Sequence, residues 1–451
     1  MQNLTLKDAL NLAIFLHNKG ALKEAENIYN MILKEFPEAP DALHLLGLTY
    51  HQKNSTKKAI ELIKKAISLS PKNPLYYHNL AMLYDSLKNE ESSKENFLKA
   101  VNISPNYKNA HLAYYNLAIG FANNGKLEVA LNYYNKALSL SPNFHDARWN
   151  RSLTLLQLGN FEEGWKELES RFSKKSPTDS RTFPKPKLTD LNIKDKTILV
   201  ICEQGFGDAI QFARYLPLIK QKGAKIILEC KKDLAELFKN SFEIDKILIK
   251  NSPISSYDYD FYIHLMSLPA LFDTTLKTIS NSVPYLKPSQ ELVDKFKIYF
   301  NKNSFNIGIV WSGNPKQEND KNRSITLGQF KELLEIPRVK LFSLQLGQSK
   351  LSDKNILDLS DKISNFNDTA AIIQNLDLII SVDTSVAHLS GALNKPTFVL
   401  LSSRADWRWL LERSDSPWYP SMKLFRQKNP DSWSAVFQEV KEEIINLINN
   451  K

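Results

Sequence analysis

The stretch SVDTSVAHLSGALNKPTFVLL, residues 381–401, decides the fold of the C-terminal part of this chain. It continues an apolar run, drops into Asp383-Thr384-Ser385, and passes through small residues to a second apolar run, TFVLL. This pattern predicts a buried strand, a polar corner, a short helix and another strand, as in a parallel α/β sheet. We expect Thr384 or Ser385 to cap the helix and to leave backbone amide donors exposed. His388, one turn further on, either hydrogen-bonds a neighbouring backbone group or contacts a bound ligand.

The same alternation of strand and helix extends over the C-terminal two-thirds of the chain. One set of apolar runs begins at TILVICEQ and AKIILEC, and a second set leads from NIGIVWSG to TFVLL. Strands that alternate with amphipathic stretches predict parallel sheets with crossover helices. We therefore predict two Rossmann-like halves, residues 196–290 and 291–451, the second ending in a crossing helix. Such sheets bind ligands at the carboxyl ends of their strands.

In the first half, the strand ILVICEQ ends in Gly205-Phe206-Gly207-Asp208 and runs directly into a helix. Glycines at such a corner let backbone amides approach an anion. Asp208 is either the N-cap of this helix or projects into the cleft as a base, and both interpretations stay open. A nicotinamide-nucleotide alternative depends on Glu229, but Ile210 stands where the dinucleotide fingerprint has its third glycine.

In the second half, the strand NIGIVWSG leads into a polar loop that carries Lys316 and Arg323. Lysine and arginine suit phosphate, and the serine and asparagine of the loop suit sugar hydroxyls. An ordinary solvated loop is the alternative. A later stretch, RADWRWLLERSDSPWYPSMKLFRQ, follows a strand end, and Asp406, Trp407 and Arg408 could stack on a base or a sugar. We expect Trp409 and Trp418 to belong to the core.

The N-terminal third repeats itself with a period of 34 residues. Leu46-Gly47, Leu80-Ala81 and Leu117-Ala118 occupy equivalent positions, and a proline closes each copy. Small residues let paired helices approach closely, and proline blocks their continuation. The pattern resembles the tetratricopeptide repeat, a helix–turn–helix unit that stacks into a superhelix. The clear copies are 6–39, 40–73, 74–107 and 111–144, and a degenerate fifth copy covers 145–175.

An asparagine recurs at the sixth position of these copies, at Asn79, Asn116 and Asn150 among others. Such a ladder on the inner helices could hydrogen-bond a peptide backbone whatever its sequence. Asparagine is also common at this position in the repeat, so the ladder is a candidate acceptor or partner site only.

Composition limits the classes of function. The chain has 451 residues and a formal net charge of +10. This charge is spread thinly without a basic block, so we predict no nucleic-acid partner. Cys202 and Cys230 lie in apolar runs without metal-ligand spacing, which favours buried thiols in a reducing compartment. The sequence shows no signal peptide and no transmembrane run, so we expect a cytoplasmic protein.

Three motifs resemble the heptosyltransferase-like glycosyltransferases of family 9, over about residues 196–430. They are EQGFGDAIQFARYLPLI, GIVWSGNP and SVDTSVAHLSGALNKPTFVLL, which is similar to the family's Asp-Thr-Gly-x-x-His motif. The resemblance implies the GT-B fold and an inverting, metal-independent transfer of a sugar from a nucleotide diphosphate. Ser385 stands where the family has a glycine, and the first half is short for the family.

The resemblance also implies roles for individual residues. Asp208 takes the place of the proposed catalytic base. The donor-binding candidates are Gly207, Ser312, Gly313, Asn314, Lys316, Arg323, Asp383, Thr384, Ser385, Val386 and His388. No metal and no cofactor is expected, because the nucleotide sugar is itself a substrate.

The whole layout, repeats followed by a GT-B unit, is similar to that of O-GlcNAc transferase. We predict a repeat domain at 1–175, a linker at 176–195 that is rich in proline, lysine and serine, and then the two Rossmann-like halves. The first hypothesis is a glycosyltransferase (hexosyl or heptosyl transfer) whose repeat domain presents a protein or peptide acceptor. The alternative is a non-catalytic interaction scaffold whose GT-B module only binds nucleotide.

Overall fold

The computed structural model describes residues 5–253, 257–280, 282–316, 320–347, 353–430 and 432–450. The chain divides into two compact units, Met1–Arg151 and Ser152–Lys451, and the division falls within helix α9 (His145–Gln157). Among the described residues, no helix is both long enough and apolar enough to cross a membrane.

The first unit consists of antiparallel helix pairs, as the 34-residue period predicts. Its helices are α1 Leu6–Asn18, α2 Leu22–Glu35, α3 Pro40–Gln52, α4 Thr56–Leu69, α5 Pro74–Ser86, α6 Glu90–Ile103, α7 Ala110–Asn123 and α8 Leu127–Leu140. The repeated small residues lie where helices touch. A Cβ added to Gly47 of α3 would come within 2.9 Å of Ile63 Cγ1 and 3.0 Å of the Ala59 carbonyl oxygen in α4. The predicted superhelix of tetratricopeptide repeats is therefore confirmed.

The second unit contains two parallel sheets, which confirms the predicted α/β class with two Rossmann-like halves. The first sheet has the order β3-β2-β1-β4, and the second has the order β10-β9-β8-β5-β6-β7. The strands are β1 Thr197–Ile201, β2 Lys225–Cys230, β3 Lys246–Ile249, β4 Phe261–His264, β5 Phe305–Val310, β6 Val339–Ser343, β7 Ile356–Asp358, β8 Leu378–Val382, β9 Thr397–Leu401 and β10 Met422–Arg426. The central strands β1, β5 and β8 are almost wholly buried, as their unbroken apolar runs require.

Helices and loops cover these sheets. The helices of this unit are α10 Phe161–Leu168, α11 Phe206–Phe212, α12 Leu216–Gln221, α13 Lys232–Ser241, α14 Leu268–Leu271, α15 Gln290–Phe296, α16 Asp320–Arg323, α17 Phe366–Gln374, α18 Ser385–Ala392 and α19 Ser434–Asn449. The terminal helix α19, expected to cross back, packs on the second sheet. Its Phe437 ring meets Phe330 edge-to-face at 5.1 Å.

The proline- and lysine-rich stretch predicted as a linker packs along the first sheet. Leu188 N–H donates to the Tyr262 carbonyl oxygen of β4 at 2.9 Å, and the Phe183 ring stacks on Tyr262 at 4.2 Å. Arg181 forms an ion pair with the buried Glu229 of β2. The stretch thus covers apolar surface of β1 and β2 that a helix would otherwise cover.

Candidate active site

A cavity of about 640 Å³ lies between the two halves of the second unit, where strands of both sheets end. Every residue that the sequence proposes for catalysis or donor binding lines it. The first half contributes Gly207 and Asp208, and the second half contributes Ser312, Gly313, Asn314, Lys316, Arg323, Asp383, Thr384, Ser385, Val386 and His388. The structure therefore brings together residues that are up to 181 positions apart in the chain (207 to 388), although their individual roles stay predictions.

Asp208 sits in the first turn of α11 and is held at both carboxylate oxygens. Its Oδ2 accepts the Gly205 N–H at 2.8 Å, which completes a capping arrangement at the helix start. Its Oδ1 accepts from Nη2 of Arg408. Burial raises the pKa of Asp208, and the Arg408 cation opposes this rise. The interpretation of Asp208 as the N-cap is wrong, because Gly205 is the N-cap and Asp208 is the third residue of the helix. Its carboxylate lines the cavity, and its role as a base stays a prediction.

Gly207 lies at a close contact between the two halves. A Cβ at this residue would lie 2.9 Å from His388 Cδ2 and 3.7 Å from the Ser385 Cα. The start of α11 therefore faces the start of α18 with no room for a side chain between them. Glycine at 207 is required by this close approach of one half to the other.

Asp383 follows β8 and points into the cavity while remaining largely buried. Burial and the neighbouring Asp406 raise its pKa to about 6, and Arg323 acts in the opposite direction. Arg323 Nη1 also donates to the Asp383 carbonyl oxygen at 2.8 Å and so fixes the corner after the strand. The Asp383 carboxylate lies 4.0 Å from His388 Nε2.

His388 is buried beneath the cavity wall. Its Nδ1 is hydrogen-bonded to the Tyr419 hydroxyl at 3.1 Å, and its ring stacks on Trp409 at 5.3 Å between centroids. Burial lowers the pKa of His388 well below its ordinary value, and nearby arginines add to this effect. This lowering favours the neutral imidazole. Its hydrogen-bond partner is the Tyr419 side chain, whereas the sequence predicted a backbone group or a bound ligand.

Thr384 is the N-cap of α18, but its hydroxyl is hydrogen-bonded to Ser381 Oγ at 2.9 Å. The first N–H groups of an α-helix have no partner inside the helix, and Thr384, Ser385 and Val386 at the start of α18 line the cavity. Ser385 is the first helical residue, where the backbone is right-handed. The serine that replaces the family glycine therefore needs no left-handed backbone.

The loop after β5 is shaped by hydrogen bonds to its own backbone. Gln345 Oε1 accepts the N–H groups of Trp311 at 3.1 Å and Ser312 at 2.9 Å. A Cβ at Gly313 would collide with the side chains of Arg323 and Asp320, which form an ion pair against it. Asn314 and Lys316 are exposed at the cavity edge, where Asn314 Oδ1 accepts the Lys316 N–H at 3.0 Å. Residues 317–319 of this loop lie outside the described part of the chain.

Sequence reasoning missed Lys231 and misjudged the stretch at 406–408. Lys231 follows β2, its Nζ donates to the Gln204 carbonyl oxygen at 2.9 Å, and burial lowers its pKa. Its position at a strand end could have marked it as a cavity residue.

Asp406 and Arg408 line the cavity, but Trp407 is only 4% exposed and meets Trp165 edge-to-face at 5.3 Å. The prediction that Trp407 stacks on a ligand is therefore wrong, because its ring is part of the core.

Glu229 does not support the nicotinamide-nucleotide alternative. It is completely buried and paired with Arg181, whereas that interpretation needs it at the cavity.

Within the described residues, no group of three His, Cys, Asp or Glu side chains is placed to hold a metal ion. Cys202 and Cys230 are buried free thiols, and burial raises the pKa of both.

In the first unit, the asparagine ladder contacts the preceding repeat at each step. Asn79 Nδ2 lies 2.7 Å from His44 Nε2, and Asn150 Nδ2 donates to the Tyr115 hydroxyl at 3.1 Å. Asn116 Nδ2 makes a longer contact of 3.6 Å to Met82 Sδ. These amides join neighbouring repeats, so any peptide would bind to groups that already have a structural role.

Family models match both parts of the chain. Residues 40–73, 75–107 and 111–144 match tetratricopeptide repeat models, and residues 350–441 match glycosyltransferase family 9 (heptosyltransferase). The chain joins tetratricopeptide repeats to a heptosyltransferase-family domain.

Protein FlbA of Caulobacter vibrioides is 24% identical over 320 residues, which cover 64% of this chain and 53% of FlbA. The match thus spans about half the length of FlbA. Among solved structures, a MamA protein is 23% identical, with 38% of this chain and 91% of MamA covered and a TM-score of 0.33. YrrB, described as a TPR protein with an unusual peptide-binding site, is 22% identical, with 38% and 86% covered and a TM-score of 0.32.

Proposed function

We propose that this protein transfers a hexosyl or heptosyl group from a nucleotide-diphosphate sugar to an acceptor that the repeat domain presents. The transfer inverts the anomeric centre and needs no metal ion. The observation that carries the proposal is the shared cavity, in which the Asp208 carboxylate faces the amide- and cation-rich wall built by the second half.

The second half offers a binding site for the donor diphosphate. The start of α18 presents amide donors, and Arg323 and Lys316 add cations at the same cavity. Preorganised donors and cations stabilise negative charge that develops on a leaving group, and they act most strongly where water is excluded. In this proposal they take the role that a metal ion has in other transferases.

The first half offers the general base. An inverting transfer needs one carboxylate that takes the acceptor proton while the leaving group departs on the opposite face of the sugar. Asp208 belongs to the first half, and the proposed diphosphate site belongs to the second half. A sugar held between them would be attacked from the side of Asp208, which produces inversion.

Asp383 and His388 are the proposed sugar contacts. The Asp383 carboxylate, whose pKa is about 6, is mostly ionised at pH 7 and can accept hydrogen bonds from sugar hydroxyls. The neutral His388 ring holds the corner by packing between Trp409 and Gly207. Ser312 and Asn314 complete the proposed polar lining on the donor side.

The proposal also assigns a separate role to each segment of the chain. Residues 1–175 would bind a protein or peptide acceptor, with Asn79, Asn116 and Asn150 in the groove. Residues 176–195 would connect this domain to the first Rossmann-like half, 196–290, which supplies the base. Residues 291–451 would bind the donor.

The proposal is tested with the full chain in EDTA. A thermal-shift screen of ADP, GDP, UDP and their common sugar conjugates identifies the nucleotide, and release of nucleoside diphosphate measures turnover. We expect one nucleotide class to raise Tm and its sugar conjugate to be hydrolysed slowly by wild type. If no nucleotide binds, the transferase proposal fails. If wild type binds nucleotide sugars but turns none of them over, the scaffold alternative is favoured.

A further inference from the structure

The Asp208 carboxylate is not free in this structure, although the proposed reaction requires it to accept a proton. Oδ2 accepts the Gly205 N–H at 2.8 Å, and Oδ1 is ion-paired with Arg408. An adjacent cation favours the ionised carboxylate and so opposes proton transfer to it. The Arg408 contact therefore has to weaken for Asp208 to act as a base.

Arg408 is placed to change partners. Its side chain lines the same cavity as the proposed donor site and is 10% exposed. Its Nη1 donates to Asp406 at 2.8 Å and its Nε donates to Gln211 at 2.6 Å. These two contacts can hold the guanidinium in the cavity wall while the Nη2 contact to Asp208 is exchanged.

The exchange has a chemical reason. A nucleotide diphosphate brings negative charge to a cavity in which Arg408 already faces carboxylates of both halves. Guanidinium groups bind phosphate oxygens well, often through two parallel hydrogen bonds. The donor would thus compete with Asp208 for Nη2.

We propose that Arg408 is a donor-responsive positioning residue: the donor diphosphate takes its Nη2 group from Asp208, which frees the Asp208 carboxylate to act as the base. This inference rests on the proposed function. Activation of the base is thereby coupled to donor binding, and without the donor the Asp208 carboxylate stays ion-paired with Arg408.

The step balances as follows. The acceptor oxygen forms a bond to the anomeric carbon, and its proton passes to Oδ1 of Asp208. The bond from the anomeric carbon to the phosphate oxygen breaks, and its electron pair stays on the nucleoside diphosphate beside Arg408. After the product leaves, Asp208 releases its proton to water and forms its ion pair with Arg408 again.

Binding measurements on the full chain test this exchange. Pyrophosphate and ADP, GDP and UDP are titrated by calorimetry into wild type, Asp208→Asn, Arg408→Gln and the double variant. We expect Asp208→Asn to bind the diphosphate about three- to tenfold tighter because the competing carboxylate is gone. Arg408→Gln should bind it at least about tenfold more weakly. Thermal unfolding checks that each variant is folded, and Asp415→Asn and Arg413→Gln, an exposed ion pair of the second half, serve as matched controls.

The double variant separates exchange from simple charge repulsion. If the tighter binding depends on Arg408, Asp208→Asn will not increase diphosphate affinity in the Arg408→Gln background. A gain that persists there, or equal affinity of Asp208→Asn and wild type, overturns the exchange while leaving the transferase proposal standing. If Arg408→Gln does not fold, Arg408→Lys takes its place. We then expect Asp208→Asn to increase diphosphate affinity less in the Arg408→Lys background than in wild type. Absence of any diphosphate binding by wild type would overturn both proposals.

Discussion

Arg408 and Asp208 form an ion pair across the cavity, although they are 200 positions apart in the chain and belong to different halves of the second unit. The same guanidinium reaches Gln211 of α11 and Asp406 of the second half. This contact ties the proposed base to the half that would bind the donor. Most of the behaviour we predict follows from the surroundings of this pair.

Replacing Asp208 should separate binding from turnover. Asp208→Asn keeps the side-chain shape and an oxygen that can accept the Gly205 N–H, so the start of α11 should persist. We expect kcat for donor hydrolysis and transfer to fall by about 10²–10⁴-fold, the usual contribution of a general base. Nucleotide binding should persist and become tighter, as argued above for the diphosphate, and calorimetry measures this. A variant with full turnover would remove Asp208 from the mechanism.

A side chain at position 207 should push the two halves apart. Gly207→Ala places a methyl group 2.9 Å from His388 Cδ2, and this buried ring has little space to move. We expect a loss of about 1–3 kcal/mol in the free energy of unfolding, together with a lower kcat. Urea denaturation measures the first quantity. Gly328→Ala is the control, because its nearest neighbour would be Thr326 Oγ1 at 3.7 Å.

Asp383 should make stability depend on pH with a definite sign. Burial raises its pKa from 3.8 to about 6, so between these pH values the folded state holds the proton more tightly. The contribution of Asp383 to the free energy of unfolding therefore falls as pH rises from about 4 to about 6. Asp383→Asn should be more stable than wild type at pH 8, by roughly 1–3 kcal/mol, and about equal to it below pH 4.

Denaturation of Asp383→Asn and wild type across this pH range checks the sign. The exposed variant Asp361→Asn is the control. A stability advantage of Asp383→Asn that is equally large at pH 3.5 and pH 8 would contradict the assignment.

Arg323 should contribute to both the shape of the site and donor affinity. It donates to the Asp383 carbonyl oxygen and pairs with Asp320 beside Gly313. Arg323→Lys keeps a cation but loses the planar group that makes these contacts together. We expect about tenfold weaker nucleoside-diphosphate binding by calorimetry. Arg413→Gln, outside the cavity, should bind as wild type does.

Removing the asparagine ladder should weaken acceptor binding without changing donor hydrolysis. Replacing Asn79, Asn116 and Asn150 together by alanine should raise KM for a protein or peptide acceptor by about tenfold or more, while donor hydrolysis keeps its rate. Asn124→Ala is the control, because this exposed amide at the end of α7 donates to the Gly120 carbonyl oxygen of the same repeat. An unchanged acceptor KM in the triple variant would show that the ladder serves only to join repeats.

The sequence predicted the parts of this molecule that periodicity controls. The 34-residue period placed the paired helices, and buried apolar runs placed strands whose carboxyl ends must meet at one edge. Asp208 follows a strand of the first sheet and Asp383 follows a strand of the second, and both line the cavity between the sheets. Lys231 follows the same rule and could have been found.

Contacts between distant loops could not be predicted in this way. Nothing in the sequence near Arg408 indicates Asp208, because their contact depends on how one sheet faces the other. Trp407 was predicted to stack on a ligand, whereas it packs beside Trp165 in the core. Trp409 and Trp418 are buried, as predicted. The edge strands β7 and β10 were also missed, because β7 has only three residues and Lys423 interrupts the apolar run of β10.

The configuration of the released sugar tests the central claim most directly. Once the accepted nucleotide sugar is known, its turnover by wild type in EDTA is followed by proton NMR at early times, before the product mutarotates. The proposed single displacement predicts that an α-linked donor gives the β-configured sugar first and that Asp208→Asn gives almost none. Release of the α-configured sugar, or turnover that EDTA abolishes, would contradict an inverting, metal-independent glycosyl transfer.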